Sequence, residues 1–416
     1  MSSETAPALS RSSSRGAIFG FLKPNEWALV FSILLVIAGT AALDRSHAYV
    51  NFPKTALQDN ARRIAPLGIL ALGAAVVIIS GGIDLSVASV AALSGTICAT
   101  LLLAMGGERF DTDEGLPASI LAIAISISVA SGLVIGTLHT WLITVLRLPP
   151  FIVTLGSLVG LRSFARALCW FMTGRFKGSS SEELPFSDPF FRFINSGDWI
   201  WIPVLVMLLI AAGTWVLLNW TVLGRHIYAM GGNEQAARLS GIRTENVKWF
   251  VYCFSATCAS LAGVFYIAES GAKPSTLAAG YELNAIAAAV VGGCSLQGGV
   301  GTVVGTVLGV VFLRAVVDAV ARIVRGQSDM YEGMIVGMVV VLAVTFSQLR
   351  QIQQTGRQLF PGKLGWLAVP GLALAGGLVV LVSLGESAGL WTGGALLFAL
   401  LAWKITETIR SRRTVE

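Results

Sequence analysis

The polar residues with the most informative spacing lie in the segment 231–242, which separates two long apolar stretches. Asn233 is a suitable N-cap for a helix that begins at Glu234, because its side chain accepts a hydrogen bond from a free backbone amide. Glu234 and Arg238 are four residues apart in the favourable acid-first order. Gly241 is placed to end the helix in a left-handed conformation. The spacing therefore predicts a short capped helix whose chemistry is contact with a partner protein.

The same segment is predicted to carry a small apolar surface, formed by Ala236, Ala237 and Leu239, that seats in a groove on this partner. On that interpretation, Ala237→Asp disturbs function without unfolding the protein. The alternative is an ordinary amphipathic loop. The residues assigned to the contact are Asn233, Glu234, Gln235, Ala236, Ala237, Arg238 and Gly241.

Other residue patterns that would do chemistry are missing from the sequence. The cysteines form no Cys-x-x-Cys pair and lie in or beside apolar stretches, as small buried hydrophobic residues do. The histidines form no His-Glu-x-x-His motif, and no phosphate-binding GxxxxGK(S/T) loop occurs. We therefore expect no metal site, no cofactor, no nucleic-acid partner and no catalysis by this chain, ATP hydrolysis included.

The composition is that of an integral membrane protein. The chain of 416 residues is 55% hydrophobic and 12% charged, and a soluble domain carries about 25% charged residues. Apolar runs of about 20 residues, long enough to cross a bilayer as helices, recur along the chain. The sequence predicts an all-α polytopic bundle with spans at 27–43, 58–80, 84–105, 116–146, 150–173, 199–219, 247–268, 282–297, 300–322, 330–349, 366–384 and 388–405.

The distribution of basic residues predicts that both termini are cytoplasmic, since the loops then inside carry more Lys and Arg than those outside. The Ser-rich, basic residues 1–26 are expected to form a disordered cytoplasmic tail and not a signal peptide.

Two apolar stretches contain glycine-rich breaks, one at Gly81 and Gly82 and one at Gly292 and Gly293. Glycine lets the backbone leave a helix, and exposed amides survive in a membrane only where protein or a water-filled cavity covers them. These four glycines are predicted hinges. Their matched spacing hints at a parallel internal repeat.

Five segments in order resemble the membrane permeases of ribose/xylose-type sugar ABC importers: 80–87, 148–156, 231–242, 280–288 and 292–305. The resemblance covers roughly residues 55–349. It implies a permease core of about ten spans in a bacterial inner membrane. It also implies three kinds of partner: a cytoplasmic ATP-binding-cassette ATPase, an extracytoplasmic sugar-binding protein, and a second permease copy or paralogue. The permease domain is placed at 27–349. Beyond the family's usual end, the sequence predicts a cytoplasmic linker at 350–365, an additional helix pair at 366–406 to which no role is assigned, and a basic cytoplasmic tail at 407–416.

The sequence departs from the pattern of this family at several positions. Gln235 stands where the coupling motif usually has glutamate, and Val300 where arginine is frequent. Asn284 replaces a frequent aspartate, and His139-Thr140 replaces a common Asn-Gly. These changes weaken any inference about the exact sugar.

Residues expected along a substrate path are Asp84, Ser86, Phe151, Thr154, Ser157 and Asn284. For Asp84 a helix cap is the favoured alternative, because an ionised carboxylate inside the membrane is costly. Phe151, Thr154 and Ser157 are predicted to share one helix face, with core packing as the equal alternative. Arg162 matches an arginine of the family, and it and Arg166 are interpreted as structural.

The sequence thus favours a permease subunit that moves a monosaccharide or related polyol by alternating access, driven by a separate ATPase. A branched-chain amino-acid importer permease is the alternative within the class. An ion-coupled secondary transporter would need intramembrane acid or histidine relays and gives no reason for the segment 231–242. A membrane enzyme would need a catalytic constellation.

Overall fold

The computed structural model describes residues 23–43, 54–112, 114–185, 188–195, 201–323, 366, 368–374, 376–378 and 386–413, together with the single positions 333, 337 and 341. The helices in this part of the chain are α1 (Pro24–Leu43), α2 (Lys54–Ile79), α3 (Val87–Gly106), α4 (Ala118–Thr144), α5 (Pro150–Lys177), α6 (Pro189–Asn195), α7 (Trp201–Trp220), α8 (Val222–Gly232), α9 (Glu234–Leu239), α10 (Thr244–Ser270), α11 (Tyr281–Val291), α12 (Val303–Ile323) and α13 (Glu386–Arg413).

Within the described residues, eight helices are long and apolar enough to cross a membrane. The predicted all-α polytopic membrane fold is confirmed. The span predicted at 282–297 is wrong in length, because α11 has 11 residues. At 1.5 Å per residue it covers only about 16 Å, roughly half of a hydrocarbon core.

Other boundaries moved or fall outside the described residues. Helix α1 begins within the predicted tail 1–26, and α13 continues to Arg413, through most of the predicted tail 407–416. The span predicted at 330–349 is described only at isolated positions, the span at 366–384 only in part, and the linker 350–365 lies outside the described residues.

The centre of the bundle consists of α2, α3 and α10, which are mostly buried, whereas α4, α5 and α7 are mostly exposed. Small residues bring these helices close together, as is usual within membranes. A Cβ atom on Gly263 of α10 would lie 2.2 Å from the carbonyl oxygen of Ala91 on α3. Gly132 and Gly136 likewise seat α4 directly on the backbone of α10. Larger side chains at these glycines would force the helices apart.

Serine hydroxyls join the same three helices, α3, α4 and α10. The hydroxyl of Ser94 on α3 lies 2.8 Å from those of Ser131 on α4 and Ser260 on α10. Ser128 of α4 donates to the carbonyl of Ser94 at 2.6 Å. Because lipid offers no competing partner, such bonds favour one arrangement of the helices.

Candidate functional site

Helix α9 has both of the caps that its sequence predicts. The side chain of Asn233 accepts a hydrogen bond from the amide of Ala236 at 3.0 Å. At the other end Gly241 has a φ of +86°, and its amide donates to the carbonyl of Arg238. The amide of Ile242 donates to the carbonyl of Ala237, which completes a Schellman motif. The six residues of α9 are therefore held as a helix by local bonds.

Ion pairs fix α9 to the beginning of α10. Lys248 Nζ lies 2.7 Å from Glu234 Oε1, whereas the predicted partner Arg238 lies 3.4 Å from the same oxygen. Arg238 also pairs with Glu245 at 2.9 Å and donates to the hydroxyl of Thr244. These ion pairs connect α9 to α10, one of the three central helices.

The exposed surface of α9 differs from the predicted one at Ala237. Leu239 is 90% exposed, and Gln235, Ala236 and Arg238 are exposed as well. Ala237 is only 5% exposed, because α9 packs on α8 and α10. The prediction that Ala237 offers its methyl group to a partner is wrong. The apolar surface left for a partner is formed by Ala236 and Leu239.

Three glycine-containing segments meet beside α9: the break after α2 with Gly81, the end of α8 with Gly231, and the break after α11 with Gly298 and Gly299. We call this contact the glycine junction. The amide of Gly299 donates to the carbonyl of Ile79, the last residue of α2, at 2.8 Å. A Cβ on Gly231 would lie 1.9 Å from that carbonyl oxygen, and a Cβ on Gly298 would lie 2.8 Å from the Cα of Gly81. The end of α8 thus touches the breaks that follow α2 and α11.

The four predicted hinge glycines differ in what the structure requires of them. Gly81 and Gly293 have positive φ angles of +87° and +96°. Gly292 is needed for close packing, since a Cβ there would lie 2.3 Å from the carbonyl oxygen of Gly305 on α12. A Cβ on Gly82 would lie 2.7 Å from Tyr252 Oη. Movement at these positions stays a prediction.

Asp84 is almost completely buried, at 2% exposure. Its Oδ1 accepts hydrogen bonds from the amide and the hydroxyl of Ser86, at 2.9 and 2.6 Å, and its Oδ2 accepts one from Ser255 of α10 at 2.8 Å. The N-cap of α3 is Ser86. The expectation that Asp84 caps this helix is therefore wrong in detail. The carboxylate stabilises the turn before α3 and ties that turn to α10.

Ser157 and Thr154 of α5 are bonded to the same region. His139 Nε2 of α4 lies 2.7 Å from Ser157 Oγ, and Ser89 of α3 donates to the carbonyl of Ser157 at 3.1 Å. Thr154 donates to the carbonyl of Ile83 at 3.3 Å. With Asp84 and Ser86 these residues form one buried polar cluster, which joins α3, α4, α5 and α10.

The other two path candidates lie apart from this cluster. Phe151, Thr154 and Ser157 have the predicted helical spacing on α5, but Phe151 is 50% exposed whereas Thr154 is fully buried, so they do not share one environment. Asn284 is buried in α11, which packs mainly on α2 and α12. Sequence reasoning missed Ser255, His139 and Lys248 as partners, because each lies in a different structural element from the residue it contacts.

Comparison with known proteins gives one family. Residues 57–344 match the family described as "Branched-chain amino acid transport system / permease component". The chain is 32% identical over 326 residues to the ribose import permease protein of Escherichia coli (strain K12), covering 77% of this chain and 93% of that protein. No solved structure matches the chain significantly.

Two further relatives are similar over comparable lengths. An autoinducer 2 import system permease protein of Yersinia pseudotuberculosis is 34% identical over 311 residues, which are 73% of this chain and 80% of that protein. A probable ABC transporter permease protein of Sinorhizobium fredii is 33% identical over 317 residues, which are 75% of this chain and 85% of that protein.

A permease of this family is a multi-pass protein of the inner membrane, and it works with a separate ATPase and a substrate-binding protein. Hydrolysis of ATP therefore belongs to another subunit, as the sequence indicated. With its apolar helices, its capped α9 and a match over most of its length, the chain belongs to the permease family of ABC importers.

Proposed function

We propose that this chain carries a monosaccharide or related polyol across the inner membrane by alternating access, and that α9 receives the movement of the ATPase. The observation that supports this role most is the exposure of Leu239 on a helix that is capped at both ends and ion-paired to α10. A partner can shift the protein between two conformations only if it contacts the two conformations differently. A rigid, exposed helix provides a surface for such contacts.

The relatives favour a sugar-like substrate over an amino acid. Although the family description names branched-chain amino acids, two of the curated relatives are named as permeases for ribose and for autoinducer 2. A zwitterionic amino acid would need fixed charges of both signs in the path. The hydrogen-bonded cluster around Asp84 includes no arginine or lysine side chain, so it offers the carboxylate of an amino acid no fixed positive charge.

We infer that a second permease subunit covers part of α5. Most of α5 is exposed in the single chain, although Arg162 and Arg166 lie on it. Arg166 is about 24 Å along the helix from Pro150, which is still within a hydrocarbon core of about 30 Å. Arg166 is ion-paired with Glu182, but placing a charged pair against lipid still costs free energy because both groups lose their hydration. A protein or water-filled surrounding on this face avoids that cost.

Uptake into membrane vesicles tests the proposed function. The chain is co-expressed with its ATPase and its binding protein, and uptake of pentoses, hexoses and polyols is measured with and without ATP. We expect ATP-dependent uptake of at least one of these solutes, and none with an ATPase that cannot hydrolyse ATP. Movement of solute on an ion gradient without a second protein would contradict the proposal.

The same preparation tests the proposed orientation, in which α9 and both termini are cytoplasmic. Gln235 is exposed, and the five native cysteines are buried. Gln235→Cys therefore provides a thiol that a membrane-impermeant maleimide reaches on one side only. We expect labelling in opened vesicles and not in intact cells. Labelling of intact cells places α9 outside and removes the coupling role.

A further inference from the structure

A cavity of about 330 Å³ lies between the outer half of α5 and the segment 271–280, which links α10 to α11. We propose that this cavity, here called the α5 cavity, binds a neutral polyhydroxylated solute. This inference rests on the proposed function, because it assigns a binding site to the transported sugar. The lining residues that the argument uses are Arg162, Ser163, Arg166, Ser275 and Glu282.

One wall of the α5 cavity is held in place by Arg162. Its Nη1 donates to the carbonyls of Pro274 and Leu277, both at 3.0 Å, and to that of Ser275 at 3.5 Å. These carbonyls belong to a non-helical segment that a membrane tolerates only when its polar groups are satisfied. The Nε and Nη2 groups of Arg162 have no hydrogen-bond partner among the described residues, so they remain available to a ligand.

Glu282 supplies a hydrogen-bond acceptor to the cavity, whereas Arg162 supplies donors. Glu282 is the second residue of α11, and its Oε2 is buried without a hydrogen-bond partner in the part of the chain that the structure describes. A buried carboxylate oxygen left unpaired is costly, and a donor in the cavity would remove that cost. Sugar hydroxyl groups are such donors, and they also accept hydrogen bonds from a guanidinium group.

The charges around the α5 cavity cancel one another, which disfavours a ligand with a net negative charge. Arg166 forms a two-bond ion pair with Glu182, at 2.8 and 2.9 Å, and this bond lowers the pKa of the Glu182 carboxyl. Arg162 and Glu282, which have opposite charges, interact electrostatically. Two arginines thus stand against two glutamates, and the hydroxyls of Ser163 and Ser275 complete the polar lining. A site for a phosphorylated or carboxylated solute would carry an excess of positive charge.

The size and the donor set agree with this assignment. Small-molecule sites begin at about 300 Å³ and place a few polar groups among apolar ones. Here the apolar side chains of Leu158 and Val159 lie beside the polar groups. A transport site must also release its ligand, so partial enclosure with a few hydrogen bonds is the expected design.

Thiol protection tests the α5 cavity without depending on transport. In Ser163→Cys the introduced thiol lies in the lining of the cavity, on α5. In Thr276→Cys it lies at an exposed position of the segment 271–280 that is not part of the lining. The five native cysteines are buried and give a low background. The full chain is reconstituted in nanodiscs and treated with a maleimide at increasing ribose or ribose 5-phosphate. We expect ribose to slow labelling of Ser163→Cys and not of Thr276→Cys.

A second substitution examines the carboxylate. Glu282→Gln, placed in the Ser163→Cys background, is expected to raise the half-protecting ribose concentration about tenfold, which corresponds to about 1.4 kcal/mol. Equal protection of both thiols, or of neither, overturns the proposal. Stronger protection by ribose 5-phosphate than by ribose overturns the inference that the ligand is neutral. Ser275→Cys replaces Ser163→Cys if the latter does not fold.

The outcomes separate this inference from the proposed function. ATP-dependent sugar uptake without protection leaves the importer intact and removes the α5 cavity as a binding site. Protection without ATP-dependent uptake keeps the site and removes the importer mechanism.

Discussion

Ala236 is exposed and its neighbour Ala237 is buried. The same substitution, made at each position in a separate variant, therefore distinguishes an effect on partner contact from an effect on folding. Ala236 is exposed near the beginning of α9, where a carboxylate is favourable to the helix dipole. Ala236→Asp is expected to leave stability unchanged and to lower ATP-dependent uptake, because it puts a charge on the apolar contact surface. Ala237→Asp buries an uncompensated carboxylate and is expected to cost about 3 kcal/mol or more.

Vesicle uptake and the apparent midpoint of thermal unfolding in detergent distinguish the two variants. Normal uptake by Ala236→Asp would remove the contact surface from α9. An unchanged midpoint for Ala237→Asp would mean that this part of the interface is hydrated.

The residues whose roles are local could be predicted from the sequence. Asn233 and Gly241 cap α9 through bonds that span only a few residues, so their types and spacing determine the geometry. The partners of Asp84 show the opposite case. Ser255 is 171 residues away along the chain, and nothing in its neighbourhood indicates that it donates to a buried carboxylate. Such a pair follows from helix packing and not from a motif.

At the scale of elements, the glycine junction connects the end of α8 with the breaks after α2 and α11. Gly231→Ala is expected to destabilise this contact by about 1–3 kcal/mol, as overpacking usually does. The new methyl group would lie 1.9 Å from the carbonyl oxygen of Ile79 and 2.5 Å from the amide of Gly299. The expected result is a lower unfolding midpoint together with reduced uptake.

Gly232→Ala is the matched control for Gly231→Ala. A Cβ at Gly232 meets nothing within 4 Å, and alanine in a helix is about 1 kcal/mol more favourable than glycine. We therefore expect unchanged or slightly raised stability and normal uptake. Equal effects of the two substitutions would mean that the helix propensity of α8 matters and that the close contact does not.

Element boundaries were predictable where the apolar run and the helix coincide, as in α7 and α12. In α11 the predicted span ran past Val291 into the glycine-rich break at 292–299, because the sequence alone did not show where the helix ends. The helix stops there because Gly292 packs on Gly305 and Gly293 takes a positive φ. The sequence showed the glycines, but their contacts determine the length of the helix.

At the scale of the whole molecule, coupling requires a route from α9 to the substrate. Ion pairs join α9 to α10, and α10 carries Ser255, which binds Asp84. The same cluster reaches α5 through Ser89 and Ser157, and α5 lines the α5 cavity. The described contacts thus form a continuous physical connection between the partner surface and the proposed ligand.

The additional C-terminal helices are expected to be dispensable for transport. The family match ends at residue 344, before the helix pair that was predicted at 366–406. In the described part of this region, Gly377 and Gly393 pack against each other, and none of α1–α12 packs extensively on α13. Because the two helices of the pair pack on each other, deleting residues 366–416 is expected to leave a core that inserts, folds and transports.

The amount of protein in the membrane, the unfolding midpoint and ATP-dependent uptake of the deletion variant are compared with those of the full chain. Loss of insertion would show that the core folds only with the pair present. Normal insertion with lost uptake would assign the pair to the assembly of the importer.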